Sequence, residues 1–230
     1  MSDQIEKAVV AGVDVGGMKK GFHAVAYRGM ELIGKCQSAN ATEIAEWCRN
    51  VGALVVGIDA PCRWSLTGRA RPAERELMAQ KIWCFSSPTF KAAQEHPKQY
   101  FHWMLAGAQL FQELETTHML YKGVGTSERE TVCFETFPHA VVCALAGQVV
   151  SAKPKGASRR TVLRGQGIDE TRLPNIDFVD AALCALTAIY LLKGQIKSYG
   201  EAETGMIVVP IGKNVVDRNT SCTVKVSQQS

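Results

Sequence analysis

Three short apolar runs in this chain each finish on or beside a carboxylate. Asp14 lies in AVVAGVDVGG, Asp59 in ALVVGIDAP and Glu135 in ETVCFETFP. A run such as Val-Val-Gly-Ile reads as a buried strand, and an acid at its end must face a cleft, a cation or water. The surrounding pattern restricts how these strands connect. Residues 7–15 read as a first strand, and 22–28 and 31–37 as two more joined at Gly29, a short antiparallel meander. Asn40 or Thr42 can cap a helix running to about Asn50, with Glu43 and Glu46 in its first turns and Gly52 after its end. Residues 53–58 give a fourth strand and 131–137 a fifth. The order strand, strand, strand, helix, strand, followed by further helices, points to an α/β protein with a mixed sheet. Strands one, four and five then run parallel. In open α/β sheets the binding crevice lies at the carboxyl ends of such strands, where Asp14, Asp59 and Glu135 are expected.

The rest of the chain adds two more acids and much positive charge. Asp177 to Lys193 has the pattern of a strong helix ended by Gly194. Asp177 and Asp180 stand at i and i+3 on one face of its first turn. Residues 61–90 read as irregular and arginine-rich, with a short helix over Glu74 to Lys81. Residues 98–119 carry apolar positions at helical spacing, 138–148 look helical, and 206–209 look like a short strand. Residues 151–167 (SAKPKGASRRTVLRGQG) read as a basic loop. The simplest organisation is one domain over 1–212, with an insertion at about 61–95 and a polar tail over 213–230.

Each acid, taken singly, has an ordinary structural explanation. Asp14 and Asp59 could be turn residues. Asp177 could cap a helix with Asp180 favoured by the helix dipole. Glu135 could pair with a nearby arginine. Taken together the five point elsewhere, because carboxylates gathered at one sheet edge repel each other without a cation. Hard divalent ions, Mg²⁺ or Mn²⁺, take oxygen ligands of this kind. A pair of such ions about 3.5–4 Å apart can activate a water and stabilise the leaving oxygen of a phosphodiester.

Composition excludes some alternatives. With 46% hydrophobic and 21% charged residues, the chain is an ordinary globular sequence, and its net charge of +4 permits a polyanionic partner without demanding one. No apolar run approaches the roughly 20 residues that cross a bilayer, so no membrane partner is expected. The eight cysteines include no CxxC pair. Free buried thiols, with no signal peptide in view, fit a cytoplasmic location. The five histidines supply no zinc spacing.

The motifs GVDVGG (12–17), GIDAP (57–61), FETFPHA (134–140), DFVDAALCALTA (177–188) and GMIVVP (205–210) together resemble one family over nearly the whole chain. It is the family of predicted RNase H-like nucleases, also called domain of unknown function 429. The acid pattern also resembles that of the Holliday-junction resolvases, whose last helix carries a D-x-x-D-A arrangement; here it reads Asp177-Phe-Val-Asp180-Ala181. The resemblance implies an RNase H-like, retroviral-integrase type of fold. Its sheet would be mixed and five-stranded, with helices on both faces and a long insertion after the fourth strand. It implies a metal-dependent nuclease in which Asp14 bridges the metals, Asp59 holds one ion and Asp180 another, and Asp177 assists. Glu135 matches the family motif, although the resolvase pattern requires no acid on the fifth strand. Resolvases act as dimers, which raises a homodimer here; no exposed apolar helix stripe argues for it.

Basic residues beside the expected site suit a nucleic-acid partner. Lys153, Lys155, Arg159, Arg160 and Arg164 cluster in one stretch, and Arg63, Arg69, Arg71 and Arg75 in the insertion. Such groups contact phosphates, and binding through them falls with salt. Trp64 and Trp83 could stack on bases. A solvated basic loop and packed tryptophans are the plainer readings. Two other functions compete. A non-catalytic nucleic-acid or protein binding module would use the acids structurally. GVDVGG also resembles the first phosphate loop of sugar kinases and actin-like ATPases, but one such motif in 230 residues makes an incomplete kinase.

Overall fold

The computed structural model describes residues 7–123 and 130–212; the polar tail expected over 213–230, with Cys222, lies outside them. Strands β1 (Val9–Val15), β2 (Phe22–Arg28) and β3 (Glu31–Ser38) form the antiparallel meander. Helix α1 (Ala41–Asn50) follows, capped by the Asn40 side chain, which accepts from the Thr42 N–H. It returns the chain to β4 (Ala53–Asp59), which runs parallel to β1.

The segment between β4 and the next strands carries the two helices expected there and one more. It holds α2 (Pro72–Ala79), α3 (Phe90–Gln94) and α4 (His102–Leu114). Helix α2 starts two residues before the short helix read from the sequence. Pro72 opens it, and the Glu74 carboxylate accepts from the Arg71 N–H. Strands β5 (Met119–Leu120) and β6 (Val132–Glu135) come next, then α5 (Pro138–Ala146), α6 (Lys155–Gly165), a 3₁₀ turn (Glu170–Arg172), α7 (Ile176–Leu192), β7 (Ile196–Tyr199) and β8 (Ile207–Pro210).

The sheet is mixed, as expected, but has eight strands among the described residues rather than five. Its order is β3-β2-β1-β4-β6-β8-β7, with β5 paired to the start of β6. Of the three beyond five, β8 lies where a short strand was read over 206–209, and β5 and β7 are short. A two-residue strand, or Ile-Lys-Ser-Tyr, offers no period that a sequence reading can detect. A second correction concerns 151–167, expected to be a loop. Most of it is α6. Only Val162 and Leu163 are apolar in its second half, so no amphipathic pattern announces it. It is held instead by buried Leu163 and Arg159, four residues apart on its inner face.

Each face of the sheet carries its own core. Val9, Ala11, Val13, Val56 and Ile58 pack with Ile44, Cys48, Leu110 and Phe111 from α1 and α4. Val10 and Val55 pack with Leu77, Leu163 and the inner face of α7 on the other side. By the two-residue period, Gly12 and Asp14 share the second face, as do Gly57 and Asp59. Both glycines are needed there. A Cβ on Gly12 would run into the Ala181 carbonyl and the Ala185 N–H, and one on Gly57 would lie 2.5 Å from the Cys184 carbonyl oxygen. Helix α7 therefore lies backbone against backbone on β1 and β4. No described helix is long and apolar enough to cross a membrane.

Candidate functional site

This close packing positions the carboxylates. Asp14 and Asp59 are partners in the parallel register of β1 and β4, so their side chains leave the same face side by side. Asp180 lies immediately before Ala181, where α7 meets Gly12, and Asp177 one turn earlier. Asn175 caps α7, accepting from the Phe178 N–H, which leaves Asp177 free to face the cleft. The four aspartates line a cleft of about 250 Å³ together with Lys20, Lys155, Arg159 and the apolar walls Phe85, Trp103 and Phe137.

The aspartates differ in what answers their charge. Asp180 is buried and ion-paired with buried Arg159. Asp177 accepts two bonds from Lys20 Nζ, at 2.8 and 2.9 Å. No side-chain hydrogen bond or ion pair links Asp14 or Asp59 to the other described residues. Burial, then the charges of Asp59, Asp180 and Asp177, raise the Asp14 carboxyl well above the usual range. Burial and Asp180 push Asp59 up to about 8, against the opposing pull of Arg159 and Lys155. Burial raises Asp180 to about 6, with Arg159 holding it down. The cluster is thus short of positive charge at Asp14 and Asp59. Among the described residues no group of three or more His, Cys, Asp and Glu side chains is gathered to hold a metal ion as it stands. Arg159 and Lys20 occupy the carboxylates that would complete one.

Glu135 lies in the same cleft but turns the other way. Its register partner on β4 is Ile58, so it leaves the sheet on the face opposite Asp59. There Arg71 grips it with two bonds, Nη1 at 2.9 Å and Nη2 at 2.5 Å, and the Cys62 N–H donates at 2.8 Å. Arg71 Nε also donates to Glu74 at 2.8 Å, and Glu74 accepts from the Ser87 hydroxyl and N–H. This buried network ties the loop after β4, and α2, to the end of β6. It matches the plainer reading of Glu135 as the partner of an arginine. His139, on α5, has its Nε2 3.8 Å from Cys143 Sγ, one turn along the same helix.

The expected phosphate-binding cations divide in the same way. Arg71 and Arg159 are buried in ion pairs. Arg160 donates to the carbonyls of Glu170 and Leu173, and Arg164 pairs with Glu170. Arg63 pairs with Glu115 at 3.2 Å, and Arg75 donates to the Ala70 carbonyl. Of these arginines, Arg71 and Arg159 are internal braces, whereas Arg75 and Arg164 keep exposed side chains beside the bonds they make. Lys153 and Lys155 are exposed, and Lys155 lines the cleft. Lys20, which the sequence reading passed over, belongs to the site. Its only sequence signal is its place in the turn directly after Gly16 and Gly17.

Comparison with curated proteins and with solved structures gave no match. One family model, described as "Protein of unknown function (DUF429)", matches residues 12–204. That span includes all five acids, the second half of β1 and every element from β2 to β7, and on it the chain belongs to the DUF429 family.

Proposed function

We propose that the chain is a metal-dependent phosphodiesterase acting on nucleic acid. The observation that carries this reading is the pairing of Asp14 with Asp59, adjacent in register and covered by α7, with no cation of their own. Their donor chemistry fits a hard divalent ion, Mg²⁺ or Mn²⁺. Asp14 and Asp59 would hold it, joined by Asp180 once that carboxylate exchanges Arg159 for the ion, with Asp177 assisting. A bound ion supplies a nucleophilic hydroxide at neutral pH and stabilises charge on the phosphoryl oxygens. Lys155, and Arg159 when released from Asp180, then face the cleft as donors for a phosphate. Glu135 positions the loop after β4 through Arg71 and the Cys62 N–H, and does not bind the ion. The order β3-β2-β1-β4-β6, with β4 and β6 parallel to β1, supports an RNase H-like core extended by β8 and β7.

The test is cleavage of single-stranded, duplex, hybrid and four-way-junction substrates with Mg²⁺, Mn²⁺ or EDTA, beside the Asp14→Asn variant. Metal-dependent cutting that is lost in the variant is expected. Cutting that survives in a folded Asp14→Asn protein overturns the assignment.

A further inference from the structure

Beside the carboxylate cleft lies a second groove, of about 340 Å³, which shares Lys20 and Trp103 with it. Lys19, Lys98, Tyr100 and His102 also line it, and no acidic residue does. Lys19 and Lys98 are exposed. Tyr100 is 52% exposed and Phe85, between Tyr100 and Trp103, is 59% exposed. The Phe85 ring lies edge-on to both, at 6.2 and 5.9 Å. Exposed aromatic rings in contact with one another, flanked by unopposed lysines, form the platform on which unpaired bases stack while their phosphates are neutralised. His102 and Trp103 open α4 at the wall of this groove.

We infer that this groove is the entry path for single-stranded nucleic acid, leading a phosphodiester past Lys20 and Trp103 to the aspartates. The inference rests on the proposed function and specifies its substrate. Asp14 and Asp180 are buried in the wall of a cleft with room for about one small ligand. A duplex keeps its bases paired inward and cannot lay them on Phe85 and Tyr100. A single strand can, with flanking bases on Phe85 and Tyr100 and flanking phosphates at Lys19 and Lys98.

Binding in EDTA separates this inference from the chemistry. Fluorescence anisotropy would be measured with labelled 15-nucleotide dT and rU strands and a 15-base-pair DNA duplex. Proteins would be the full chain, a Lys19→Glu/Lys98→Glu variant and Tyr100→Ala, each with its circular dichroism checked. Both single strands should bind more tightly than the duplex, and whichever sugar binds tighter names the natural source. The double variant should lower the slope of log affinity against log salt by roughly 1.4, two phosphates at about 0.7 each. Tyr100→Ala should weaken binding roughly 5- to 100-fold. Equal binding of duplex and single strand, or variants that bind like the parent, overturns the path. Hydrolysis of bis(p-nitrophenyl) phosphate with Mn²⁺ is the companion assay. Diester hydrolysis without single-strand binding overturns the path and leaves the proposed chemistry standing. Single-strand binding without metal-dependent hydrolysis supports the path and removes that chemistry.

Discussion

Replacing Glu135 by Gln should destabilise the protein sharply while leaving the chemistry of any folded fraction in place. The carboxylate accepts three short bonds, two from Arg71 and one from the Cys62 N–H. Gln keeps one acceptor oxygen and turns an NH₂ group toward the guanidinium, donor against donor. Arg71 is 3% exposed and would keep Glu74 as its one charged partner among the described residues. Breaking a buried ion pair on one side costs about 3–5 kcal/mol. For a domain of this size each kcal/mol moves the melting temperature by about 2–4 °C, so a drop of roughly 6–20 °C is expected. Differential scanning calorimetry at pH 7 in EDTA reads it, and cleavage at 20 °C reads the chemistry. A melting temperature within about 2 °C of the parent, coupled to lost cleavage, would refute the reasoning. Glu135 would then be a reacting carboxylate and its arginine grip incidental.

The unpaired aspartates should behave in the opposite sense. Because the native Asp59 carboxyl is raised to about 8 from an ordinary 3.8, the native state holds a proton that the unfolded chain has released between those values. Stability in EDTA therefore falls as pH rises from about 4 to about 8, by at most about 1.4 kcal/mol per pH unit from this group. Asp59→Asn should flatten that slope in melting curves from pH 5 to 9, and an unchanged slope would count against the unpaired pair. Arg159→Met removes the partner of Asp180, which should cost about 3–5 kcal/mol without divalent ion. Mn²⁺ should then raise the melting temperature of this variant by more than it raises that of the parent; an equal rise would mean that Arg159 does not compete for the carboxylate.

What the sequence revealed, and what it concealed, follows from how far each signal reaches along the chain. The meander, the Asn40 cap and the parallel placement of β1, β4 and β6 were legible because each depends on local periodicity and turn chemistry. Asp14, Asp59 and Asp180 could be grouped because strand ends and a helix face are local properties. The face on which Glu135 emerges was not legible, since it depends on the register of β6 against β4, a pairing between residues more than seventy positions apart. The pairing itself, Arg71 with Glu135 or Arg159 with Asp180, is equally non-local. A run of cations such as Lys155 to Arg164 therefore looks like a phosphate-binding loop until the partners across the fold are known. A better signal was present in the glycines. Gly12 and Gly57 each stand two residues before an aspartate, and that shared offset marks the strands against which a helix must press.

The backbone contact of α7 with β1 and β4 bears on how such a site could be altered. Asp14, Asp59 and Asp180 hang by single methylene groups from three main chains locked together through Gly12 and Gly57. Their separations are inherited from the architecture and cannot be tuned by exchanging neighbouring side chains. Helix α6 is a different kind of component. It delivers Lys155 and Arg159 to the cleft, and its own grip is buried Leu163 and the Arg159–Asp180 ion pair. In a protein divided this way, the acids form a fixed socket and α6 an exchangeable insert. Redesign of what the cleft accepts, in the laboratory or over evolutionary time, has its easiest route through the eleven residues of α6.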